Sequence, residues 1–82
     1  LTKTKIKEEG KMTGIEIRTK IKECLTKGKN DDGNIHQYVW GKDKWDMFYV
    51  TLLELQNLKL QGIINYLGNF GYNTYFYELN KN

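Results

Sequence analysis

In 82 residues the sequence has no proline, one cysteine, one histidine and no long apolar run. Each scarcity excludes something. Cys24 has no second cysteine with which to close an intramolecular disulfide, and with the lone His36 it falls short of the four ligands of a structural zinc site. The core must therefore be apolar packing alone, completed where needed by a second subunit, in one domain near the lower size limit for a single core. A lone thiol on a helix face fits a reducing compartment. No stretch approaches the ~20 apolar residues of a membrane span and no signal peptide is visible, so a soluble, cytoplasmic protein is expected. Catalytic patterns are missing as well: there is no Ser/His/Asp spacing, no phosphate-cradling glycine loop and no pair of carboxylates beside a base. Asp31-Asp32 reads as a solvated turn. His36, next to an aromatic run, reads as structural, with a pH switch as the alternative. No enzymatic activity, cofactor or metal is expected.

What is present is an uneven distribution of charge. The net charge is only +3. Residues 1–29 hold nine Lys/Arg against four Glu, a balance of +5, and residues 30–82 hold four Lys against six acids, a balance of −2. Such asymmetry suits a basic arm or face that meets a polyanion, or else a lysine-rich solvated tail on a chain encoded by AT-rich DNA. Residues 1–11 contain too few apolar groups to hold themselves in a core and read as a basic, flexible arm, with Lys3, Lys5, Lys7 and Lys11 as its cations. The folded domain is expected over 12–82.

Local patterns then give a helix over 13–27. Thr13 and Glu16 make a capping box, Ile17, Ile21, Cys24 and Leu25 recur at helical spacing, and Gly28 is placed to stop the helix. Residues 29–34 are turn formers containing an Asp-Gly pair. Residues 34–40 form either a short helix capped by Asn34, which is preferred, or a strand favoured by Tyr38, Val39 and Trp40. Gly41 ends either one. A long helix is expected over 42–60, with the stripe Trp45, Phe48, Leu52, Leu55, Leu58. Tyr49, Leu53 and Leu60 widen that stripe enough to imply burial on two sides, one of them a subunit interface. A β-hairpin follows over 63–79, with strands rich in β formers and a tip of Gly68, Asn69, Phe70, Gly71, Tyr72 and Asn73. Tyr75, Phe76 and Tyr77 are expected in the core or an interface, and Tyr66 suits either fate.

The segment Leu55-x-x-Leu58-x-x-x-Gly62-Ile63-Ile64 and the glycine-tipped hairpin after it resemble the winged helix-turn-helix family over residues 13–79. The resemblance implies a small α+β domain in which the second helix of the helix-turn-helix enters the major groove and the hairpin is a wing. Its implied DNA contacts are Lys42, Lys44, Asp46 and Met47 at the helix start, Thr51 further along its exposed side, and Asn69, Phe70, Tyr72 and Asn73 at the tip. Lys3, Lys5, Lys7 and Lys11 of the arm would track phosphates or enter a minor groove. Against a purely helical readout, Lys42, Lys44 and Lys59 are cancelled by Asp43, Asp46 and Glu54. The implied function is sequence-specific binding of duplex DNA by a homodimer. The chain is similar to the stand-alone winged-helix proteins of bacterial mobile elements, which regulate transcription or mark a plasmid's transfer origin. The alternative is a protein–protein adaptor of the same fold that never touches DNA.

Overall fold

A computed structural model describes residues 12–72 and 74–81. The arm lysines Lys3, Lys5, Lys7 and Lys11, and the tip residue Asn73, lie outside the described residues. Three α-helices and a three-stranded antiparallel sheet follow one another as α1 (Gly14–Thr26), β1 (Asn30–Asp31), α2 (Asp32–Trp40), a 3-10 turn (Trp45–Met47), α3 (Phe48–Leu60), β2 (Ile64–Asn69) and β3 (Tyr75–Leu79). No helix among the described residues is long and apolar enough to cross a membrane.

Helix α1 starts where the capping box places it. The Glu16 N–H donates to the Thr13 hydroxyl at 3.1 Å, and the Thr13 N–H donates to the Glu16 carboxylate at 2.9 Å. Two otherwise orphaned donors of the first turn are thereby satisfied. Ile17, Ile21, Cys24 and Leu25 are buried on its inner face.

The helix-or-strand ambiguity near residue 35 resolves as a helix with a minimal strand immediately before it. Asn30 and Asp31 pair antiparallel with Tyr77 and Phe76 of β3. The helix then begins three residues earlier than a cap at Asn34 would allow, because the Asp31 side chain accepts from the backbone N–H groups of Gly33 and Asn34. The Asp-Gly pair expected in the turn thus lies in the first turn of α2. Asp31 is both the end of a strand and the cap of a helix, two roles compatible with its extended backbone.

The long helix is shorter than the hydropathy pattern suggests. Gly41 (φ 88°) and Asp43 (φ 62°) both adopt left-handed backbone conformations, so regular α geometry is excluded until the 3-10 turn has passed. Residues 42–47 are a turn, and α3 begins at Phe48. Its far end follows the sequence closely. The Ile63 N–H reaches back to the Leu58 carbonyl and the Gly62 N–H to the Lys59 carbonyl, both at 3.0 Å, closing a Schellman cap around the left-handed Gly62.

In the sheet, β3 is the centre and the order is β1-β3-β2. Ile64 pairs with Leu79 and Tyr66 with Tyr77, but the register shifts between Tyr66 and Gly68, which opposes Phe76. Leu67 is therefore a bulge residue. One face of the hairpin packs on the helices through Ile64 and Tyr77, joining Ile17, Ile21, Leu25, Ile35, Val39, Leu55 and Leu58 in a single core. Tyr75 is half-buried against that core, as expected, whereas Phe76 points to the other face and meets Phe70 edge-on at 5.3 Å.

Candidate nucleic-acid interface

The turn that carries Lys42 and Lys44 is held from beneath by a buried polar chain. The His36 Nε2 lies 2.8 Å from the Lys44 carbonyl, which can only accept, so Nε2 carries a proton. In the singly protonated ring Nδ1 then accepts from the Thr51 hydroxyl at 2.7 Å, while Thr51 Oγ1 accepts from the Trp40 indole N–H at 3.0 Å. Trp45 stacks on the imidazole at 4.8 Å and Phe48 meets it edge-on at 5.1 Å. Helix α2, the turn and helix α3 are thus joined through one fully buried histidine, in agreement with its structural reading.

This arrangement corrects one candidate contact. Thr51, assigned to the exposed side of the helix, is 0% exposed. The helical phase was misread because the hydroxyl looks like a surface group until its partners, 15 and 11 residues away in sequence, are in place. Met47 is half-buried, while Lys42, Lys44, Asp43 and Asp46 are exposed, all of them ahead of α3.

The charge and hydropathy of α3 also need correction. Glu54 does not offset lysines on the surface; it is buried, accepting from Arg18 of α1 at 2.8 Å and from the Asn57 amide at 3.2 Å. Within α3, Lys59 is then the one exposed charged side chain. The second apolar side is not covered by the described residues: Tyr49 is 69% exposed, Leu53 58% and Leu60 72%, with Leu52 exposed beside them. Leu52 itself, assigned to the buried stripe, belongs to this outer face. Leu55 and Leu58 are buried, as the stripe requires.

At the hairpin tip, the backbone holds its own turn. The Phe70 N–H donates to the Thr74 carbonyl at 2.8 Å, and the Asn69 side-chain oxygen accepts from the Thr74 N–H at 3.2 Å. Asn69 therefore spends its acceptor on the loop and retains its amide donors for an external contact. Tyr72 is 96% exposed, Phe70 is also exposed, and Gly68 and Gly71 take positive φ. Behind the tip, Leu67, Phe70, Phe76 and Lys29 line a shallow apolar hollow. On the core side, Tyr66 is partly exposed, with the Lys59 ammonium 5.5 Å from its ring centre and Tyr77 5.6 Å away.

Asp32 departs from the expectation of a solvated turn. It is buried, and its carboxylate accepts from the Gly33 N–H at 2.8 Å, with the Tyr75 backbone also favouring the charged form. Desolvation pushes its pKa above the ordinary value, with the neighbouring Asp31 adding to the shift and the backbone donors opposing it. Burial likewise raises the Cys24 thiol, which the nearby Asn30 amide and Lys27 partly counter. Lys20 and Lys22 of α1 and Lys27 at its C-cap are solvated, the last lying 5.1 Å from the Tyr38 ring centre.

The candidate contacts therefore fall into two described patches, the turn with Lys42 and Lys44 and the tip with Asn69, Phe70 and Tyr72, supplied by separate elements. Sequence reasoning missed the Arg18–Glu54 pair and the hydroxyl chain to His36, because both depend on tertiary partners. No protein-family model, curated protein or solved structure matches the chain.

Proposed function

We propose that the chain is a small winged helix-turn-helix protein that binds a specific duplex DNA site as a homodimer. The observation that carries the reading is the layout: helix, short strand, helix, turn, helix and hairpin, with the short strand paired to the last one in the order β1-β3-β2. In this reading α2 and α3 are the helix-turn-helix and the hairpin is the wing. The exposed tip, with Tyr72 and Phe70, meets sugars or base edges, and Lys42, Lys44 and the arm lysines neutralise phosphates. The setting we propose is a bacterial mobile element, where such a protein marks a plasmid transfer origin or regulates transcription.

A gel-shift selection from random duplexes tests the reading directly. An enriched site is expected, with affinity falling on the order of 10³-fold between 50 and 200 mM salt if each of these six lysines neutralises one phosphate. Reversing Lys42 and Lys44 to Glu is expected to weaken binding on all sequences, and Tyr72→Ala on the selected site most. Absence of binding to any duplex at low salt would refute the proposal. A second reading, a protein–protein adaptor, is favoured by the uncharged apolar face of α3, which is poorly suited to a phosphate-lined groove.

A further inference from the structure

The outer face of α3 carries information of its own. Tyr49, Leu53, Gln56 and Leu60 are all exposed, and they are spaced by four, three and four residues. That is the seam spacing of a helix that packs along another helix. Leu52, Lys59 and Tyr66 flank the seam, and a groove between α3 and the hairpin runs along its edge. The seam itself bears no charge, so neither a polyanion nor a charged peptide is its complement.

We infer that this face pairs with the same face of a second copy, α3 against α3, antiparallel about a two-fold axis passing between Leu53 and Gln56. The order Tyr-Leu-Gln-Leu is what selects a second copy. Antiparallel pairing sets Tyr49 against the partner's Leu60 and Leu53 against the partner's Gln56, so every large apolar group meets an apolar stem and the arrangement closes at two chains. Charge favours the same orientation. The antiparallel fit draws Lys59, in the last turn, toward the partner's Asp46 just ahead of the first; a parallel fit would set Lys59 beside the partner's Lys59. Lys42, Asp43 and Lys44, exposed near Asp46, cancel to a single positive charge and do not reverse this preference. Opposed helix dipoles add to it.

The size is adequate. Tyr49 at 69% exposed, Leu53 at 58%, Leu60 at 72% and Leu52 at 38% supply the apolar centre of the face, and Gln56, Lys59 and Tyr66 extend it toward the ~600 Å² per partner at which specific interfaces begin. The gap between α3 helices is closed by leucine and tyrosine, so the pair would sit at an ordinary interaxial separation of about 8–10 Å. If this pairing holds, α3 is not free to lie in a major groove, and DNA contact is left to the turn and the wing. The pairing does not depend on DNA binding.

Light scattering on the full chain at about 50 μM, without DNA, tests it. A dimer is expected for the unaltered protein, and a monomer for the double variant Leu53→Glu, Leu60→Glu with its helical circular dichroism retained. A monomeric parent overturns the inference and leaves the face to a different protein. So does a double variant that remains dimeric, which would place the contact elsewhere. Orientation is read by cysteine cross-linking, with the buried Cys24 left in place. A mixture of Tyr49→Cys and Leu60→Cys protomers should form disulfide dimers at least tenfold faster than Leu60→Cys alone, and equal rates would refute the antiparallel fit. A gel shift run separately distinguishes failure of the dimer from failure of DNA binding.

Discussion

The two faces of α3 invert the usual rule of burial. Its inner face holds Thr51 and Glu54 alongside Leu55 and Leu58, while its outer face leaves Tyr49, Leu53 and Leu60 in solvent. The inner polar groups are tolerated because each has a partner fixed by another element: Trp40 and His36 for the hydroxyl, and Arg18 for the carboxylate, which Asn57 of α3 itself also supports. The outer leucines have no such account among the described residues. Polarity alone therefore does not tell which way a helix faces; the presence or absence of partners does.

This contrast can be broken most severely at Thr51. Thr51→Val keeps the shape but leaves the His36 Nδ1 without a donor and the Trp40 N–H without an acceptor, and urea denaturation should register a loss of about 2–4 kcal/mol. A loss below about 0.5 kcal/mol would mean that the polar chain is not what seats the turn. The ion pair comes next. Because the Arg18 side chain keeps about a third of its surface in solvent, Arg18→Met should cost only about 1–2 kcal/mol, mostly from the stranded Glu54 carboxylate. On the outer face, Leu60→Gln measured at a concentration where the chain is monomeric should shift stability by no more than about 0.5 kcal/mol. A larger loss there would show that Leu60 supports the fold itself.

The smallest effect concerns acid. Asp32 has a raised pKa in the folded state, so between the ordinary carboxylate value near 3.8 and that raised value the folded chain binds more proton than the unfolded one. Its contribution to stability is greatest below this window and declines as pH rises through it. Thermal melts at close pH intervals should show this decline against the background of the other carboxylates, and Asp32→Asn, which preserves an acceptor for the backbone donors, should flatten it.

How far the sequence disclosed this architecture varies by element. Helix α1 and the α3–β2 junction were readable because their signals are local: a capping box four residues long, and a glycine closing a Schellman cap. The preference for a helix over residues 34–40 was correct in type, yet its start was misplaced because Asp31, not Asn34, accepts the cap donors. The start of α3 was misread for a comparable reason, since a hydropathy stripe cannot register the left-handed backbone at Asp43. Of the candidate contacts, Lys42, Lys44 and Tyr72 were placed on the surface by their local setting. Thr51 was not, because its partners sit on α2. The buried Asp32 escaped notice because two adjacent acids before a glycine look like any solvated turn.

The bulge at Leu67 has a further consequence. Strand residues alternate between faces, and a residue inserted in one strand but not in its partner is absorbed by a bulge that bends the strand and increases its twist. Because Tyr66 pairs with Tyr77 and Gly68 with Phe76, deleting Leu67 would leave a regular ladder with the same partners but remove the local bend, changing the angle at which Phe70 and Tyr72 are held. In this protein a single extra residue in the strand sets the angle at which the tip is held, while its side chain helps to line the hollow behind that tip.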